Sequence, residues 1–226
     1  MPRDRLSKEE LHDDEFTSAI FRLITYTEEN YPKILAGLGA VVVASLIGFF
    51  IQDNANKRTQ AALDAIGDVQ VALMQGNMSS AITIAQAVAS DYSGETIGGR
   101  AILTLANIYF DQGRFEESSA QYHKFLDGAD DPSGPEVYGA TAGIASCMEA
   151  QGNPLGAGQQ LLSYADSHSQ TPYVPLALME AARSYLAGGN PDRAKETLQR
   201  VIGDYPESAV NRAAKTELGI LGIHVD

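Results

Sequence analysis

One stretch limits what this chain can fold into more than any other. Residues 34–51 read ILAGLGAVVVASLIGFFI, eighteen in a row without a charge, and no other long apolar run occurs in the sequence. As a helix rising about 1.5 Å per residue it covers about 27 Å, close to the ~30 Å hydrocarbon core of a bilayer. A segment crossing lipid must pair its backbone N–H and C=O groups internally, so a single run of this kind crosses only as a helix. The rival reading is a buried core helix. It is the weaker one, because the sequence that follows carries a complete core pattern of its own. Pro32 stands two residues ahead of Ile34, where a missing N–H costs nothing and φ is preset for a helix. Lys33 and Gln52-Asp53 bracket the run. A cleaved signal peptide would need an acidic leader of 33 residues and a shorter apolar core, so the run is expected to be an uncleaved signal anchor.

Charge and residue counts remove several classes of function. The net charge is −13, with five Lys/Arg against eight Asp/Glu before the run and eleven against twenty-one after it. Neither side is a basic patch, so no nucleic-acid partner is expected. A single cysteine, Cys147, excludes an internal disulfide framework and a cysteine-rich metal site. It lies among Ile144, Ala145 and Met148, where a free thiol acts as a small hydrophobe. His12, His123, His168 and His224 are scattered, without a second histidine at ligand spacing. Gly37-Leu38-Gly39 falls inside the apolar run and is no phosphate loop, and the common hydrolase, metalloprotease and nucleotide motifs do not occur. Glu116-Glu117 and Asp130-Asp131 flank turns and read as solvated or helix-start charges. The expectation is therefore no enzyme: no catalytic residue, no metal, no cofactor and no small-molecule substrate.

Ahead of the run, Ser7 with Glu10 forms a capping box and Leu6 with Leu11 a hydrophobic staple, which predicts a helix start. Phe16, Ile20, Leu23, Ile24, Thr27 and Tyr31 then fall on one helical face, and the helix is expected to break or kink at Tyr31-Pro32. An amphipathic helix beside a span either lies in the lipid surface or docks on a protein; Phe16, Ile20, Leu23 and Ile24 are the candidate docking residues at the cytoplasmic face. Within the run, Ala36, Ala40, Ala44 and Gly48 recur every fourth residue, a spacing that lets another membrane helix come close. Two Lys/Arg lie within twenty residues on each side (Arg22 and Lys33, Lys57 and Arg58), so the positive-inside count ties. Arg3, Arg5 and Lys8 tip the N-terminal arm towards the cytoplasm. From Gln52 to Gln75 the sequence favours helix, so the membrane helix can continue into water.

The remainder repeats. Gln75-Gly76-Asn77, Gln112-Gly113-Arg114, Gln151-Gly152-Asn153-Pro154 and Gly188-Gly189-Asn190-Pro191 are four related turns, with Gly76, Gly113, Gly152 and Gly189 spaced 37, 39 and 37 residues apart. A fixed period of this size marks stacked supersecondary units. Helical apolar spacing lies on both sides: Leu105, Ala106 and Tyr109 before the second turn, Phe115, Tyr122 and Phe125 after it. Ala181, Ala182 and Tyr185 precede the fourth, and Ala194, Leu198 and Val201 follow. Glycine supplies the left-handed residue closing each first helix, and Pro154 and Pro191 open the second. Glu207 to Leu221 is expected to form a capping helix. Tyr109, Tyr122 and Tyr185 read as core aromatics.

Leu105-Ala106-Asn107-Ile108-Tyr109 with Gly113, Phe115 and Tyr122 resembles a tetratricopeptide repeat, as does Ala181-Ala182-Arg183-Ser184-Tyr185 with Gly189, Ala194 and Pro206. Met148 holds the aromatic place in the third copy, and the copy around Gly76 is weaker. The resemblance covers roughly residues 58–221 and implies an all-α fold: one transmembrane helix followed by a tetratricopeptide-like α-solenoid of about four helix pairs and a C-terminal capping helix. The expected organisation is an arm over residues 1–31, a span over 32–53 and a repeat domain over 54–226. The layout is similar to bacterial single-span proteins of the YfgM-like type. That similarity implies an inner-membrane location, a cytoplasmic N-terminus and a periplasmic repeat domain. It also implies a scaffold or accessory subunit whose partners are the lipid bilayer and other membrane-protein subunits of a translocon, envelope machine or energy-transducing complex. The alternative it carries is a chaperone-type holder of unfolded secreted proteins at the Sec translocon.

Overall fold

Good helix formers and the absence of proline from 33 to 74 give the first element unusual length. In a computed structural model, which describes residues 8–222, helix α1 runs without interruption over Lys8–Met74. Side chains before residue 35 are described only at 17, 18, 20, 22, 24–26, 28 and 30–33, so the capping box at Ser7 and the Leu6–Leu11 staple lie outside the described residues. The expected break at Tyr31-Pro32 does not occur: Pro32 lies inside α1. Proline removes one backbone donor and disfavours a helical predecessor, yet a helix carried by long runs on both sides tolerates that loss. The portion from Asn30 onwards is long and apolar enough to cross a membrane, with a mean hydropathy of 2.6 over its most apolar window and no part of that window buried.

The chain divides into two compact units, Met1–Arg58 and Thr59–Asp226. In the second, the end of α1 is followed by α2 (Met78–Asp91), α3 (Thr96–Asp111), α4 (Phe115–Asp127), α5 (Pro135–Ala150), α6 (Pro154–Ser167), α7 (Val174–Ala187), α8 (Pro191–Asp204) and α9 (Asn211–Ile220). These are four helix pairs and a final single helix, with no strand among the described residues. Each helix packs mainly on its neighbours in sequence, with added contacts from α3 to α5 and from α5 to α7, the order of a solenoid. The last helix starts at Asn211 and not at Glu207, because Tyr205-Pro206 ends α8 and the next residues turn. The Asn211 side-chain amide donates to the carbonyls of Ile202 and Tyr205, closing the end of α8.

Core formation follows the helical spacing. Val69 and Ala72 of α1 meet Ala81, Ala85 and Val88 of α2 and Ala101, Leu105 and Tyr109 of α3. Ala106, Tyr122, Ala140, Ile144 and Cys147 join α3, α4 and α5. A larger cluster, with Leu161, Leu178, Met179, Tyr185, Leu198 and Leu218, fills the last two pairs and reaches α9. Phe125 packs against all three, so the repeats share one continuous core. Burying each large apolar side chain contributes roughly 1.5–3 kcal/mol. Small residues decide how closely helices approach: a Cβ on Gly143 would run into the ring of Tyr122, and one on Gly158 would stand 2.9 Å from Tyr185.

Candidate protein-interaction face

Four turns of identical construction hold the helix pairs. Gly76, Gly113, Gly152 and Gly189 adopt φ of +71°, +72°, +81° and +73°, a region that residues with a Cβ rarely enter. In each, the glycine N–H donates to the carbonyl three residues back. The following N–H donates to the carbonyl five back: Asn77 to Ala72, Arg114 to Tyr109, Asn153 to Met148 and Asn190 to Tyr185, each at 2.8 Å. This is the Schellman closure, which satisfies carbonyls that a helix end leaves orphaned. The residue after glycine then serves the next helix. Side-chain oxygens of Asn77, Asn153 and Asn190 accept from the N–H of Ser80, Gly156 and Arg193. One asparagine thus ends one helix and caps the next, a role the sequence signalled through the repeated Gly-Asn pair. The second turn departs from this. Arg114 makes no cap; its guanidinium lies 4.3 Å from the centre of the Tyr109 ring and pairs with Glu117 at 2.7 Å. That bond, more than the charge alone, holds the Glu117 carboxyl below its ordinary value.

The repeats are also stitched to one another by polar contacts that the sequence reading missed. Gln151 reaches Glu116 and Ser184 reaches Glu149, both 35 residues apart. Arg193 reaches Gln159, Arg200 reaches Asp166 and Arg183 reaches Glu217, each 34 residues apart. These separations fall short of the 37–39-residue turn period by about one helical turn, the offset between facing residues of adjacent pairs. A search for polar pairs 34 or 35 residues apart would have found them.

Close polar links also join α3 to α4, α5 to α7 and α7 to α9. Tyr122 donates to Asn107 at 2.6 Å, Tyr138 to Glu180 at 2.7 Å and Ser184 to Glu149 at 2.6 Å, while Arg183 binds Glu217. Burial first, and then the bond to Glu180, pushes the Tyr138 phenol far above its usual range. Its ring stacks on Tyr173 and leans on Tyr164, which in turn stacks on His168. Two cavities open nearby in the chain, the first reaching this aromatic group and both lined in part by Val137. One of about 280 Å³ is lined by Thr141, Tyr164 and His168 among others, and one of about 360 Å³ by Ile102, Phe125, Val137, Asp130 and Glu136.

His168 Nδ1 already shares hydrogen bonds with Ser167 Oγ and the Tyr164 carbonyl. Cys147 is buried; its thiol donates to Ser118 Oγ, which donates to the Ala106 carbonyl, and burial raises the thiol pKa. Among the described residues no group of three His, Cys, Asp or Glu could hold a metal ion. Tyr109, Tyr122 and Tyr185 are buried. Of the remaining candidates, Ala36, Ala40, Ala44 and Gly48 are exposed along α1, and so are Ile20 and Ile24. The side chains of Phe16 and Leu23 lie outside the described residues.

Residues 26–164 match the tetratricopeptide repeat-like domain and residues 176–208 match the tetratricopeptide repeat. The first match takes in more than half of the chain, which therefore belongs to the tetratricopeptide repeat-like domain family. No curated protein matches it. Among solved structures, the nearly identical TPR-like repeats of a putative kinesin light chain from Podosopora anserina are similar in fold. They align over 70% of this chain and 83% of that one, at 16% identity and a TM-score of 0.53. MamA aligns over 67% of this chain and 85% of its own, at 18% identity and a TM-score of 0.47. At these identities the likeness concerns fold alone.

Proposed function

We propose that this protein is a membrane-anchored protein-interaction scaffold, an accessory subunit that docks on a larger inner-membrane assembly. The carrying observation is the pairing of two features on one chain: a solenoid of the kind that presents extended binding surfaces, and an apolar helix whose side chains are exposed. On this reading residues 32–53 cross the bilayer. The arm of residues 1–31 stays cytoplasmic, held there by Arg3, Arg5 and Lys8. The domain of residues 54–226 is periplasmic. Ala36, Ala40, Ala44 and Gly48 pack against a helix of the partner assembly, where close contact and not hydrophobicity drives association. Phe16, Ile20, Leu23 and Ile24 dock at the cytoplasmic face.

Mild detergent extraction followed by purification of the full chain tests this. Stoichiometric recovery of one membrane complex, retained by the parent and lost by an Ala40→Leu/Ala44→Leu variant that still inserts, is the expected result. Recovery of many unfolded clients in salt-labile fashion would replace the scaffold with a chaperone-type holder. Recovery of the chain alone, in membranes where it is abundant, would overturn both.

A further inference from the structure

The part of α1 inside the solenoid has two uncharged faces. Ala62, Val69 and Ala72 are buried, the last two in the core with α2 and α3. The other face carries Gln60, Leu63, Gly67, Gln70 and Met74, all exposed. Leu63 is 44% exposed and Met74 86%, with Val71 beside them at 50%. The steps along this line alternate three and four residues, the heptad alternation that aims one seam of a helix at a partner helix. Asp64 and Asp68 are exposed as well but off the seam; at about 100° per residue, Asp68 stands roughly 120° from its centre. The two ends of the solenoid therefore differ. The last pair is covered by α9, whereas the first helix turns an uncharged line, with Leu63 and Met74 exposed on it, outwards, where a terminal repeat ordinarily shows a polar face.

We propose that residues 60–74 of α1 pair, parallel and in register, with the same residues of a second copy of this chain. Charge selects this occupant. In such a pair every seam residue meets its own twin, so a charge there would face a like charge; in a chain of net charge −13, this line has none. Gln70, and Gln60 with the donor and acceptor capacity left beside its bond to Asp64 of the same helix, each carry a donor and an acceptor on one amide, so each can bond its twin, as a carboxylate or an ammonium cannot. Gly67 lies mid-seam with no atom within 4 Å of where a Cβ would stand, which leaves room for close approach. The parallel sense rests on the proposed anchor: two copies held in one membrane by residues 34–51 send α1 out in the same direction.

Cysteine crosslinking of the full chain in native membranes tests this. In a Cys147→Ala background, Met74→Cys and Gly67→Cys should give a product of twice the chain mass under mild oxidation. Asp68→Cys should give at least tenfold less. Adding Leu63→Glu to Met74→Cys should abolish the product by setting like charges opposite each other. A product of another mass, equal yields at Asp68, or no product from membrane-resident protein would each overturn the pairing. Resistance of the chain to alkaline extraction from membranes reads the anchor separately, so a soluble chain that still crosslinks at Met74 would refute the anchor and leave the pairing standing.

Discussion

Two stretches of this molecule use the same residue types to opposite ends. In the second unit, Leu178, Leu198 and Ile144 are wholly buried against neighbouring helices. In the first, Leu38, Leu46, Phe49 and Phe50 are all more than half exposed. The solenoid offers the apolar stripes of its inner helices a counterpart one helix away, so their apolar area leaves water by packing against its own chain. The described residues of the first unit form one helix, and the exposed apolar area of residues 35–51 is satisfied only by a different solvent or by another molecule. A mean apolar content says little about burial; the availability of a second helix says almost everything.

That contrast can be broken most forcefully in the first unit. Val42→Arg with Leu46→Arg should disfavour insertion by about 2.5–3.5 kcal/mol per charge and move the chain out of the membrane fraction. Helical circular dichroism and the melting of the solenoid should stay unchanged. If the chain remains membrane-bound through alkaline extraction, residues 34–51 do not anchor it. The reciprocal change is Leu178→Ala, in the largest core cluster, which should cost about 2–5 kcal/mol in chemical denaturation and leave membrane retention intact. A loss below 1 kcal/mol would show that this cluster does not bear the stability of the last pairs.

A smaller effect tests the turns. Gly113→Val places a β-branched residue at φ +72° and should destabilise by about 1 kcal/mol or more, by the same denaturation assay. Gly139→Ala, in α5 with no atom within 4 Å of the added Cβ, should be neutral or mildly stabilising. The smallest effect sharpens the contrast through pH. Burial raises the phenols of Tyr122 and Tyr138 above the ordinary value of 10.0. Their stabilising contribution is complete below pH 10.0 and is lost as pH rises from there towards the raised folded values. Melting temperature should therefore fall faster above that pH in the parent than in Tyr138→Phe. Identical slopes would mean that the Tyr138–Glu180 pair is not buried in solution.

The sequence by itself determined the elements and their order. The charge-free run of residues 34–51, the four glycine turns and the helical spacing of residues such as Tyr109, Tyr122 and Tyr185 are local signals, each readable within a few turns of chain. Its boundaries failed where a local rule met a longer-range balance. At Pro32 a break or kink was expected, and the helix is not broken there because the flanking residues carry it through; Glu207 was expected in a helix that Tyr205-Pro206 and the bonds of Asn211 delay. Only the tertiary structure decided which residues meet across repeats. Glu149 finds Ser184 and Arg183 finds Glu217 because stacked helix pairs are staggered by about one turn, and Tyr138 finds Glu180 across the same pair of repeats at a longer separation of 42 residues. The same stacking buries Val69 on α1 and leaves Leu63 exposed six residues away. The physical reason is one of range. Backbone closure and helical period act over a few residues, whereas the partner of an exposed side chain is fixed by packing distances that no local pattern encodes.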